Sequence, residues 1–109
     1  MAQHGPADLQ QELAKVANEI VANGRGILAA DEPGHMINDR MAKVGVTDFR
    51  IEMRRRYRHL LFSTKNLCKN LGGVILEDET FYQKDENGKR IVDALTEQGI
   101  KLGVKDRVR

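Results

Sequence analysis

The stretch GRGILAADEPGHMINDR, residues 24–40, begins with the pattern of a strand and ends with that of a helix. Its segment GILAA, residues 26–30, is a short apolar run of the kind found in parallel strands buried on both faces. Two carboxylates, Asp31 and Glu32, follow at once, before a Pro-Gly pair that breaks the strand. The stretch therefore predicts a strand, an acidic loop and then a short helix over about residues 36–44.

The segments around this stretch alternate between helical and strand patterns. Asp8 with Gln11 resembles a capping box for a first helix, and Thr47 is a candidate N-cap for a long one. Strands separated by helices indicate a parallel sheet in an α/β fold. Three strands are only a fraction of an open doubly wound sheet or a (β/α)8 barrel, so the chain has the pattern of part of a larger fold. The predicted helices are residues 8–23, 36–44, 47–70 and 91–97, and the predicted strands are residues 26–30, 74–76 and 100–105.

The composition is that of one globular domain. The 109 residues are 40% hydrophobic and 31% charged, and the net charge of +2 is too mild to imply a polyanionic partner. A single cysteine, Cys68, excludes an intramolecular disulfide or a multi-thiolate metal site. No apolar run approaches the roughly 20 residues that span a bilayer, and the N-terminus lacks a secretory signal. These features predict a cytoplasmic protein without a membrane partner.

The two acids after the first strand are the candidate site. Asp31 and Glu32 stand at the carboxyl end of a parallel strand, where α/β folds bind their ligands. Carboxylates there can orient substrate hydroxyls or move protons. The alternative is a solvated loop in which Asp31 caps the next helix.

A basic run, RIEMRRRYRHLL over residues 50–61, follows. It could contact a phosphate backbone or a partner helix, or it could be a solvated helix face. Because no nucleic-acid module accompanies the Arg50–Arg58 segment and Glu52 interrupts it, nucleic-acid binding is the weaker hypothesis. At helical spacing the arginines Arg54, Arg55 and Arg58 fall opposite or beside an apolar stripe formed by Phe49, Met53, Tyr57, Leu60 and Leu61.

No metal site or nucleotide motif is predicted. The acidic cluster at residues 77–80, EDET, matches no calcium-binding spacing and is typical of a solvated strand end. The histidines His4, His35 and His59 have no zinc spacing with Cys68. The chain contains no P-loop, no GxGxxG and no GxSxG.

Four segments together resemble the class I fructose-bisphosphate aldolases. The most specific is GGVILEDETFYQK at residues 72–84, which carries the family pattern GGVIL-x-x-ET-x-YQK. The resemblance covers about residues 7–105 and about the first third of a family member. It implies a single incomplete barrel segment over residues 1–109, the N-terminal portion of a (β/α)8 barrel, with a divergent tail at 106–109. The other three segments are ANEIVANGRGILAADE at 17–32, RRRYRHLLFST at 54–64 and GIKLGVK at 99–105.

The resemblance implies a glycolytic lyase. In this family a lysine forms a Schiff base with fructose 1,6-bisphosphate, which the enzyme cleaves reversibly to dihydroxyacetone phosphate and glyceraldehyde 3-phosphate. Family members use no cofactor and are usually homotetramers. Asp31 matches the family's catalytic aspartate, and the matching substrate-binding residues are Glu32, Arg40 and Lys105. The Schiff-base lysine lies on a later strand and matches no residue here. We therefore expect residues 1–109 alone to be inactive.

Two substitutions depart from the family pattern. The family has hydroxyl side chains that help to bind a substrate phosphate where this chain has Pro33 and Met36, neither of which has a side-chain donor. The ending DRVR, residues 106–109, also matches poorly and has the pattern of a truncation or a variant tail. A non-catalytic, aldolase-derived interaction protein is therefore the alternative hypothesis.

Overall fold

A computed structural model describes residues 6–105, which form four α-helices and three β-strands. The predicted tail at 106–109 and His4 lie outside these described residues. Short 3₁₀ turns occur at Ala22–Gly24, Leu67–Lys69 and Asp78–Tyr82. In chain order the main elements are α1 (Pro6–Ile20), β1 (Gly26–Ala30), α2 (Gly34–Ala42), α3 (Ile51–Phe62), β2 (Leu71–Leu76), α4 (Ile91–Glu97) and β3 (Lys101–Val104).

The three strands form one parallel sheet in the order β1-β2-β3. The register pairs Ala30 with Leu76 and Leu76 with Val104, so the carboxyl ends of all three strands are level. The predicted parallel α/β architecture is therefore confirmed. The register shifts once, between Gly26 and Ile27, where Gly72 is passed over by the pairing.

The core lies between one face of the sheet and helices α3 and α4. Leu76 from β2 and Leu95 from α4 are fully buried there, and Phe62 closes it from α3. Each such side chain contributes about 1.5–3 kcal/mol through removal of apolar surface from water. The other buried core members are Ala30, Leu67, Val74, Ile91, Val92 and Ile100.

Helix α1 lies near the opposite face of the sheet and contains no buried residue. Its apolar side chains remain open, with Leu9 51% and Leu13 60% exposed. The predicted capping box is wrong, because the helix begins at Pro6 and Asp8 lies inside its first turn. The helix also ends at Ile20 rather than at residue 23, because residues 22–24 form a 3₁₀ turn that includes a left-handed asparagine.

The close approach of α1 to the sheet depends on one glycine. A Cβ atom at Gly72 would lie 1.7 Å from the carbonyl oxygen of Ile20. Only a residue without a side chain leaves room for the end of α1 to touch β2 there.

Helix α3 is shorter than predicted. It spans 12 residues rather than the stretch 47–70, because Arg50 has an extended backbone and Asn66 is left-handed at φ 61°. The predicted cap Thr47 therefore lies in a non-helical segment, which the buried ring of Phe49 anchors. The apolar residues Leu67 and Cys68, which extended the helical pattern, belong to a 3₁₀ turn.

Candidate active site

The level carboxyl ends of the strands place three charged residues along one edge of the sheet. Asp31 follows β1, Glu77 follows β2 and Lys105 follows β3. The backbone N–H of Lys105 donates to the carbonyl of Leu76 at 3.0 Å, which extends the sheet to this row. Since Ala30 faces the core, the alternation of strand side chains directs Asp31 to the opposite face. Two strand spacings of about 4.8 Å separate Asp31 from Lys105, and Glu77 lies between them in the row.

Asp31 is half-buried, and none of residues 6–105 forms a hydrogen bond or an ion pair with its carboxylate. The predicted alternative, in which Asp31 caps helix α2, is wrong. The N-cap position belongs to Pro33, and no side chain caps that helix. The carbonyl of Pro33 instead accepts from the backbone of Met36 at 3.0 Å and of Ile37 at 3.2 Å.

Glu32, by contrast, is fully engaged. Its carboxylate accepts a hydrogen bond from the guanidinium of Arg40, in the last turn of α2. Its other oxygen lies 3.4 Å from Nη1 of Arg58. Burial raises the pKa of Glu32, but its own backbone N–H and the charges of Arg58 and Arg40 outweigh burial and hold the pKa below the ordinary 4.5. The structure thus joins two of the predicted substrate-binding residues, Glu32 and Arg40, to each other.

The prediction that Arg58 lies on a solvated face of helix α3 is wrong. The helical pattern placed this arginine opposite or beside the apolar stripe, as on a solvated face, yet its side chain is only 3% exposed. Arg58 and Phe62 are one helical turn apart and both face the sheet, whereas the predicted stripe member Leu60 is 72% exposed. The guanidinium donates to the carbonyl of Ala30 and, at 3.1 Å, to that of Glu32. Nothing in the local pattern indicated this contact, because the partners lie 26 to 28 positions away.

The other arginines of the basic run are largely paired within the molecule. Arg54 makes a two-bond fork with Glu79, at 2.8 and 3.0 Å. Arg55 pairs with Glu52 and with Glu86, at 2.7 and 3.3 Å. Arg50 pairs with Asp48, whereas the exposed Arg56 forms no ion pair within 4.0 Å among residues 6–105 and acts on the Glu52 carboxylate only through its charge. A run so neutralised offers little positive charge for a phosphate backbone.

The residues of the acidic segment 77–80 lie in different environments. Glu79 faces Arg54, Asp78 is exposed and Thr80 is buried. Among residues 6–105, no three histidine, cysteine or carboxylate side chains come together as a metal site. Within the same range, no helix combines the length and apolar character needed to cross a membrane.

Comparison with known proteins gives a consistent family. A family model for fructose-bisphosphate aldolase class-I matches residues 12–108. The chain is 48% identical to the fructose-bisphosphate aldolase of Drosophila melanogaster, in an alignment that covers 90% of this chain and 27% of that protein. It is 45% identical to fructose-bisphosphate aldolase B of Rattus norvegicus, with coverage of 96% and 30%.

A solved structure agrees with these sequence matches. It is a fructose-bisphosphate aldolase from Plasmodium falciparum in complex with TRAP and a small-molecule inhibitor. The two structures superpose with a TM-score of 0.84 at 41% identity, covering 98% of this chain and 31% of that chain.

A parallel sheet with helices over one face and charged residues at its carboxyl edge is characteristic of (β/α)8-barrel enzymes, and the described residues form part of such a barrel. The family within that class follows from the alignments. This chain belongs to the class I fructose-bisphosphate aldolase family, as its four motifs predicted. It spans 27% and 30% of the length of the fly and rat relatives.

Proposed function

We propose that this chain supplies the first three strands of an aldolase barrel and places Asp31 against a ketose phosphate. The substrate of the whole enzyme would be fructose 1,6-bisphosphate, cleaved reversibly to dihydroxyacetone phosphate and glyceraldehyde 3-phosphate. The observation that carries the proposal is the uncommitted Asp31 carboxylate at the same sheet edge as Lys105. Family membership supplies the reaction class.

The chemistry suggests roles for Asp31 and Lys105 in the row and for Glu32 and Arg40 beside it. A lysine imine is an electron sink for carbon–carbon cleavage, and a nearby carboxylate stabilises its positive charge and orients the substrate hydroxyls. Asp31 is the proposed group for that task. Lys105 would attract a phosphate or hydroxyl oxygen from the other side. Glu32 and Arg40 form the adjoining wall, with Arg40 able to exchange Glu32 for a substrate phosphate.

The imine-forming lysine matches no residue of this chain, so residues 1–109 alone should neither cleave the substrate nor be trapped on lysine by borohydride. The complete enzyme would act in the cytoplasm as a homo-oligomer, in the family's usual tetramer. It would need no cofactor.

The test is made in a complete barrel. Residues 12–105 replace the matching segment of rat aldolase B, and the graft is assayed for fructose 1,6-bisphosphate cleavage and for borohydride trapping. Asp31→Asn should lower kcat about 100-fold or more, because it removes a charge that the transition state needs. The matched control is Asp39→Asn, the same change at an exposed position on α2, which should leave kcat within about twofold.

Two results would contradict the proposal. A folded graft that neither cleaves nor is trapped would show that this segment no longer supports aldolase chemistry. An Asp31→Asn graft as active as its parent would remove Asp31 from the site.

A non-catalytic interaction protein is the second candidate, and one observation favours it. Helix α1 has no buried residue, and Leu9 and Leu13 are more than half exposed. Pro33 and Met36 also lack the hydroxyls that the family uses. An inactive but folded graft would favour this candidate over the enzyme.

A further inference from the structure

Arg58 is a buried arginine that reaches across from helix α3 to the end of strand β1. Its guanidinium donates to two backbone carbonyls, those of Ala30 and Glu32. These are the residues immediately before and after Asp31. One planar group therefore holds the backbone at the residue before and at the residue after the proposed catalytic carboxylate.

The backbone fixes where a side chain starts and which rotamers it can adopt. Since none of residues 6–105 contacts the Asp31 carboxylate through a hydrogen bond or ion pair, the backbone is the part of the described structure through which its direction can be controlled. The rigid fork of Arg58 restricts rotation of the Ala30–Asp31 peptide group, directly before Asp31, and of the Glu32–Pro33 peptide group, one residue beyond it. The fork is itself held, because the guanidinium carbon of Arg58 lies 5.8 Å from the ring centre of Tyr57 and Nη1 lies 3.4 Å from a Glu32 oxygen.

We infer that Arg58 is a positioning residue, which aims the Asp31 carboxylate at the substrate by clamping the carbonyls of Ala30 and Glu32. This inference rests on the proposed function of Asp31. It assigns the buried arginine a task beyond tying α3 to the sheet. Lysine could not replace it fully, because an ammonium is a point charge that lacks the planar fork.

The kinetic test compares Arg58→Gln and Arg58→Lys with Arg56→Gln in the aldolase B graft. A displacement of about 1 Å at a reacting group can cost about 100-fold in rate. Arg58→Gln should therefore lower kcat about 100-fold while KM stays within about threefold, and Arg58→Lys should fall between it and the parent. Arg56→Gln removes an exposed arginine from the same helix and should change neither constant more than about twofold.

A double variant separates positioning from a merely structural role. If Arg58 acts through Asp31, adding Arg58→Gln to Asp31→Asn should cost less than about threefold beyond Asp31→Asn alone. If the losses in kcat of the two single variants instead multiply in the double variant, Arg58 has an independent structural role and the inference is overturned. A rise in KM with kcat unchanged would also overturn it.

An NMR measurement on the full 109-residue chain keeps this inference distinct from the proposed function. Arg58→Gln should shift the amide signals of Asp31 and Glu32 and the Asp31 side-chain carboxyl carbon, whereas Arg56→Gln should not. Signals at Asp31 that are unchanged, or random-coil in the parent chain, would refute the clamp. An inactive graft, together with these shifts in the 109-residue chain, would contradict the aldolase function and leave the clamp supported.

Discussion

The lowered pKa of Glu32 should make the stability of the fold depend on pH, which can be measured without substrate. Burial raises the pKa of its carboxyl, but its backbone N–H, Arg58 and Arg40 together hold the pKa below the ordinary 4.5. A carboxyl with a lowered pKa in the folded state stabilises the fold above its unfolded value. That contribution disappears as the pH falls through the folded value.

We therefore predict that the chain loses more free energy of unfolding between pH 7 and pH 3 than its Glu32→Gln variant does. Protonation of Glu32 removes its attraction to Arg40 and Arg58, and glutamine has no such charge to lose. Urea unfolding at both pH values measures the difference. Glu12→Gln, at an exposed position on α1, should keep the pH dependence of the parent. Equal losses in the parent and Glu32→Gln would refute the prediction.

The local pattern correctly predicted that Asp31 and Glu32 follow the end of a strand, because an apolar run followed by acids and Pro-Gly is a short-range signal. It failed for Arg58. Helical periodicity assigns an arginine to the solvated side, whereas this one is buried because the end of strand β1 and the loop after it offer two carbonyls and a carboxylate. Such a contact depends on packing between distant segments, which spacing along the chain does not encode.

Elements defined by short signals were predicted best. Strand β1 and helix α4 have the predicted bounds, since apolar runs and flanking glycines or polar residues delimit them. Helix α3 was predicted too long at both ends, since its flanking segments contain apolar residues that pack in irregular backbone. The tertiary burial of Phe49 and Leu67 decided those ends, and helical propensity did not.

The docking of α1 on β2 gives a sharp prediction at Gly72. A methyl group there would overlap the Ile20 carbonyl, so Gly72→Ala must push the helix end away from the sheet. We expect a loss of about 1–3 kcal/mol in the free energy of unfolding, measured by urea denaturation. Gly26→Ala is the control, since nothing lies within 4 Å of a Cβ at that strand position, and it should change stability by less than about 1 kcal/mol. Equal effects of the two changes would refute the docking.

The molecule as a whole is extended for its length. Its radius of gyration is 16.5 Å, against about 13 Å for a compact domain of about 100 residues. Within residues 6–105, β1 and β3 each pair on one side only, and Ile27 is 53% exposed beside the β1 edge. Unpaired edges next to apolar side chains promote pairing with another chain.

We predict that the 109-residue chain self-associates between about 1 and 100 µM, because a second copy can cover the open edges of β1 and β3 and the exposed face of α1. Sedimentation velocity across that range measures it. Ile27→Lys places a charge beside the β1 edge and should move association to concentrations at least tenfold higher. A chain that stays monomeric throughout the range would contradict the prediction.

The order β1-β2-β3 in space is also the order in which a ribosome makes these strands. From the end of β1 at Ala30 to the end of β2 at Leu76 there are 46 further residues. At about 5–20 residues per second, synthesis of that interval takes about 2–9 s. Each new strand can then pair with the edge of the strand that was synthesised before it. The sheet can therefore be assembled during translation by successive additions to one side, with no earlier pairing undone.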